Sequence, residues 1–171
     1  MPAAFCRSIA PFSAVDGRLM SEPGRLSHLL QVPNIRFIIL QRQNQFECLR
    51  SLIQAQETDS WQQWQGSKPD LPPSVTLSPP MAMRFFERAE QFYGRLIQLI
   101  PPGMRVWLDY EQLRGQTDMV MAHLWKFLEV PPYTALPELA KQEERPLKET
   151  VENYAELQLC FGNTDYGIFL P

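Results

Sequence analysis

The chain has little of what a metal, redox or membrane protein needs. Its three cysteines, Cys6, Cys48 and Cys160, are widely separated, so neither a zinc ribbon nor a paired-thiol redox motif has its ligands. His28 and His123 are the only imidazoles, and a metal site would have to be gathered from scattered residues; none is expected. Positive charge is also short, with Lys+Arg 16 against Asp+Glu 19 and a net charge of -3. A broad nucleic-acid surface needs a concentration of Lys and Arg that this chain lacks, so no nucleic-acid partner is expected. A small anion pocket needs only local positive charge and survives that exclusion. No apolar run approaches the ~18 residues of a membrane span, and Ile9 to Val15 contains Pro11 and is too weakly apolar for a signal peptide. The expected setting is therefore cytoplasmic and reducing, away from membranes, with Cys48 and Cys160 as small buried side chains. No glycine-rich phosphate loop precedes the first strand.

What is present describes an α/β domain. The 171 residues, 44% hydrophobic and 20% charged, suffice for a sizeable core, and sixteen prolines predict rigid turns and interrupted elements. Residues 1–34 are weakly patterned, with one short helix from Gly24 to Gln31; residues 35–171 carry the α/β domain. Arg36 to Leu40 reads as a strand buried on both faces, because Phe-Ile-Ile-Leu leaves no polar face. Phe46, Leu49, Leu52 and Ile53 then recur at helical spacing, to about Glu57. Asp59 to Pro80 is an irregular excursion, with Trp61 and Trp64 as packing anchors. Met81 to Ile100 follows as an amphipathic helix whose stripe is Phe85, Ala89, Phe92, Leu96, Ile97 and Ile100. Pro101-Pro102-Gly103 ends it.

Arg105 to Tyr110 is the second strand, closing on Asp109-Tyr110-Glu111. Thr117 opens a helix to Glu129 with Val120, Met121, Leu124, Trp125 and Leu128 inward and His123 as a structural histidine. Glu149 to Cys160 is the last helix, and Tyr166, Ile168, Phe169 and Leu170 dock the chain end. Two strands joined by a helix-bearing crossover predict a parallel sheet. Two strands make a poor sheet, so a further strand is expected from residues 1–34 or from a partner.

Arg42 ends the first strand, where open α/β sheets bind ligands. Its guanidinium offers a two-pronged fork to an oxyanion, and the Ser51 hydroxyl on the next helix can join the same phosphate. Each has a plainer alternative: an ion pair for Arg42, and a bond to the helix carbonyl four residues back for Ser51. Arg50 competes for the same anion. Asp109 and Glu111 sit where catalytic carboxylates can lie, with structural pairing as their plainer role; alternation along an extended chain sends both to one side and Tyr110 to the other. Lys141, Arg145 and Lys148 can form a basic flap, or a solvated charge mixture with Glu143 and Glu144.

Phe37-Ile-Ile-Leu-Gln-Arg-Gln-Asn with Ser51, Ala55 through Trp61, Trp107-Leu-Asp-Tyr-Glu-Gln-Leu113, Leu124-Trp-Lys-Phe-Leu-Glu-Val130, and Asn153-Tyr-Ala-Glu-Leu157 followed by Thr164-Asp-Tyr-Gly-Ile-Phe169 occur in an order that resembles the C-terminal part of the sulfotransferases. Such enzymes use 3′-phosphoadenylyl sulfate as donor. The resemblance implies a partial or abbreviated parallel-sheet, P-loop-NTPase-like domain, truncated in that its N-terminal 5′-phosphosulfate loop is not seen. It implies that Arg42 and Ser51, with Arg50, Lys141 and Arg145 as further candidates, bind the nucleotide's 3′-phosphate. A hydroxyl or amine acceptor is implied too, while the catalytic base falls in the part that is not seen or in the segment following it. The alternatives are a non-catalytic nucleotide-binding remnant and an α/β scaffold whose Trp- and Pro-rich surface binds a protein partner.

Overall fold

The computed structural model describes residues 23–61, 71–133 and 144–171. The chain divides into two compact units, Met1–Pro33 and Asn34–Pro171. Of the first, helix α1 (Pro23–Leu30) is described. Pro23 starts it, where a missing N–H costs nothing, and Gln31 N–H donating to His28 O at 3.1 Å closes its last turn.

In the second unit, strands β1 (Phe37–Gln41) and β2 (Arg105–Asp109) pair in parallel. Among the described residues the sheet has these two strands. The register runs from Phe37 opposite Arg105 to Gln41 opposite Asp109, so both strands end on the same rung. The Trp107 indole N–H donates to Gln41 Oε1 at 3.0 Å and locks that end. β1 was expected to be buried on both faces. Instead Ile39 is buried whereas Ile38 and Leu40 are 47% and 45% exposed: a two-stranded ribbon covers one face and leaves the other to solvent.

Between the strands run α2 (Gln45–Thr58) and α3 (Pro79–Leu99). Asn44 caps α2 by accepting the Glu47 N–H at 3.1 Å, and Asp59 ends it in the left-handed region at φ 50. α3 starts on Pro79-Pro80 and buries Ala82, Phe85, Phe86 and Ala89. Of the expected stripe Phe85, Ala89 and Ile100 are buried and Ile97 is exposed, while Phe86, not foreseen, is wholly enclosed. The centre of the unit is an aromatic cluster. Phe86 meets Phe46 at 4.8 Å and Phe161 at 5.8 Å, ring centre to ring centre, both edge-on, and Tyr166 at 4.5 Å.

β2 leads into α4 (Tyr110–Gly115) and α5 (Thr117–Leu128). Val120 and Leu124 of α5 pack on Val106 and Leu108 of β2. His123, expected to be a structural histidine, is exposed, since it lies off that face. The last expected helix is two pieces, α6 (Leu147–Thr150) and α7 (Tyr154–Phe161). The break is made by distant chain. Val75 pairs with Val151 as a lone parallel bridge, and the Asn153 amide clamps Leu77, accepting its N–H at 2.9 Å and donating to its O at 3.0 Å. Cys160 and Trp61 are exposed rather than buried, and Trp64 lies outside the described residues. Among the described residues no helix is long and apolar enough to cross a membrane, and no cluster of His, Cys, Asp and Glu could hold a metal ion.

Candidate functional site

Because β1 and β2 end level, Arg42 and Tyr110 leave the sheet side by side. They open a cleft of about 410 Å³ lined by Arg42, Asn44, Glu47, Tyr110, Glu111, Arg114 and Gly115. α2 explains how the chain furnishes it. Asn44, Glu47 and Ser51 fall on one face at helical spacing, and the Arg42 guanidinium lies along that face. Its Nη2 is ion-paired with the Glu47 carboxylate. Its Nη1 lies 3.5 Å from Ser51 Oγ, and its flat face covers the Tyr110 ring at 4.9 Å. The Arg42 Nε is buried and makes no hydrogen bond.

The opposite wall belongs to α4. The second strand was expected to run to Tyr110; it stops at Asp109, which is the N-cap of α4, accepting the N–H of Glu111 at 2.9 Å and of Gln112 at 3.2 Å. The helix begins one residue earlier than strand alternation assumes, so Tyr110 and Glu111 both line the cleft. Glu111 in turn accepts the backbone N–H of Gln43 at 3.1 Å and of Asn44 at 3.4 Å. That carboxylate ties the start of α2 to the start of α4. Arg114 contributes a second cation, exposed and 3.9 Å from Glu144.

The other basic residues go elsewhere. Arg50 is fully buried beneath α2 and donates to Arg145 O and to Thr150 Oγ1, both at 3.0 Å, with Glu47 4.0 Å away. Arg145 donates to Pro72 O at 2.7 Å. Lys148 is exposed, and Lys141 lies outside the described residues. Arg42, which lines the cleft, thus meets Ser51, which does not line it, while Arg50 and Arg145 brace the chain behind it. Sequence reasoning passed over Glu47, although Asn44-x-x-Glu47 has the form of a capping box.

Two neutral groups sit close by. Burial pushes the Cys48 thiol up, with Arg42 opposing and Glu111 adding to the shift. Burial and Cys48 push the Tyr93 hydroxyl up to about 12, and that hydroxyl donates to Leu40 O at 3.3 Å. Both stay protonated at neutral pH. The Asp109 carboxyl moves the other way: partial burial raises it, but a hydrogen bond shared with the Glu111 carboxyl, and those donated by the Gln112 N–H, the Gln43 side chain and the Glu111 N–H, outweigh this and lower it. A carboxyl lowered in the folded state adds stability above its unfolded value, and that stability disappears as pH falls through the folded value. Urea titrations should therefore show the advantage of the parent chain over Asp109→Asn shrinking below about pH 5. A difference that stays flat with pH would remove this role from Asp109.

Fold and site together define a mixed α/β domain, a small parallel two-stranded sheet flanked by helices, with a charged cleft at the carboxyl ends of its strands. The chain is distantly homologous to Nodulation protein H of Rhizobium meliloti. It is 29% identical over 156 residues, which is 90% of this chain and 63% of that protein, and the same holds for the protein of strain 1021. Nodulation protein H of Rhizobium tropici is also 29% identical, with 62% of its length covered. The chain therefore spans less than two thirds of the relatives it matches. No protein-family profile and no solved structure matches it.

Proposed function

We propose that this chain carries the 3′-phosphate grip of a sulfotransferase-like domain whose donor is 3′-phosphoadenylyl sulfate. One observation carries the reading: the Arg42 guanidinium and the Ser51 hydroxyl, nine residues apart in sequence, meet at 3.5 Å beside a cleft at the end of a parallel strand. A guanidinium with a neighbouring hydroxyl suits a phosphomonoester, to which each adds a charge-assisted hydrogen bond. Distant homology to Nodulation protein H over nine-tenths of the chain, taken with the ordered sulfotransferase motifs of the sequence, supports a relation at the level of the family.

In this reading Arg42 and Ser51 hold the donor and move no proton. Arg50 and Arg145 serve from behind, keeping α2 and the segment after Glu144 in place. Sulfuryl transfer to a hydroxyl or amine acceptor also needs positive groups on the transferring oxygens and a base for the acceptor's proton. We assign neither to the residues of the cleft. The test is calorimetric titration with 3′,5′-adenosine bisphosphate. Saturable binding is expected, weakened roughly 30-fold or more by Arg42→Ala, with adenosine 5′-monophosphate binding far more weakly. Binding that is indifferent to Arg42→Ala, or to loss of the 3′-phosphate, rejects the assignment.

A further inference from the structure

Glu47 stands where a ligand's anion would have to go. Its carboxylate is on Arg42 Nη2 and 4.0 Å from Arg50 Nη2. The Arg42 fork is therefore already committed to an internal carboxylate. Glu47 is also the third residue of α2, the position from which a carboxylate reaches back to the N-cap N–H. That N–H, of Asn44, lies 3.4 Å from Glu111, at the long end of a hydrogen bond. Glu47 thus has a second seat within one turn of the first.

We propose that Glu47 is a specificity-determining residue of the cleft, an internal anion that holds Arg42 until a dianionic phosphate or sulfate group displaces it towards the start of α2. The proposal rests on the anion grip described above and adds what the grip discriminates against. A monoanion taking the place of Glu47 exchanges one negative charge for another and gains nothing in charge. A dianion brings one more charge to a position between Arg42 and the buried Arg50. The displaced carboxylate loses little, because the peptide dipoles at a helix amino end favour negative charge. Arg42 Nε, with its hydrogen bond unmade, is a further donor for the incoming group.

The experiment is a double-mutant cycle read by calorimetry with 3′,5′-adenosine bisphosphate and, separately, with inorganic sulfate and nitrate. Glu47→Gln should bind the nucleotide about tenfold more tightly than the parent chain, and the preference for sulfate over nitrate should narrow. In an Arg42→Ala background the gain from Glu47→Gln should vanish, since there is no longer a fork to release. A general loss of negative charge would instead keep the gain in both backgrounds, and that result overturns the proposal. So does a Glu47→Gln chain that binds no more tightly while the parent still binds through Arg42; the anion grip then stands alone. No saturable binding in any variant overturns the grip and this inference with it. Thermal melts confirm folding, and Glu47→Ala gives the same readings should the glutamine variant fail to fold.

Discussion

Replacing Arg50 by alanine should lower the unfolding free energy by about 3–5 kcal/mol. The side chain is fully buried and is among the largest enclosed groups in the chain. Its removal leaves a void and strips Arg145 O and Thr150 Oγ1 of a charged donor. Hydrogen bonds to charged groups contribute more than neutral ones, and a buried acceptor left bare costs its desolvation. Those acceptors belong to the stretch around α6, so the loss should also loosen the pairing of Val75 with Val151. Lysine is no substitute: both bonds leave Nη1, one atom further from the backbone than a lysine ammonium reaches. Equilibrium urea unfolding of Arg50→Ala and Arg50→Lys measures both effects. A loss under about 1 kcal/mol for alanine would show that Arg50 does not brace the fold.

Phe86→Ala should be comparably severe, at about 3–5 kcal/mol. Phe86 is fully enclosed and touches Phe46 of α2, Phe161 of α7 and Tyr166 beyond it. Truncation therefore removes contacts to three parts of the chain at once. Phe46 and Phe86 share the same cavity, so Phe46→Ala and Phe86→Ala should fall short of additivity when combined. Unfolding curves for the two single variants and the double variant decide it. A small loss for Phe86→Ala would mean that the cluster collapses around the gap; simple additivity would mean that the two rings act independently.

The elements that local pattern specifies were legible. Both strands and α2, α3 and α5 follow from apolar runs and helical spacing, and each begins or ends within about two residues of where the pattern puts it. The misreadings have physical causes that no local window contains. Asp109 ends β2 because its carboxylate captures the N–H groups of Glu111 and Gln112, which starts a helix where alternation would continue a strand. The final helix breaks because Val75 and Leu77, far away in sequence, take Val151 and Asn153 as partners. Ile38 and Leu40 look like core from composition, and only the small size of the described sheet exposes them. At the cleft, the juxtaposition of Arg42 and Ser51 was readable from strand end plus helical spacing. The commitment of Arg50 to Thr150 was not, since the two are joined across a hundred residues by tertiary packing alone.

The level ending of the two strands has a further consequence. Gln41 and Asp109 share a rung, so the mouth of the cleft is set by how many residues each strand spends before it stops, and not by the length of chain between them. One residue added within either strand would carry Arg42 or Tyr110 out of step and swing it to the opposite side of the sheet. Changes of length in the long crossover would leave their adjacency intact. Variation in this fold is thus tolerated along the journey between the strands and penalised at the points of arrival.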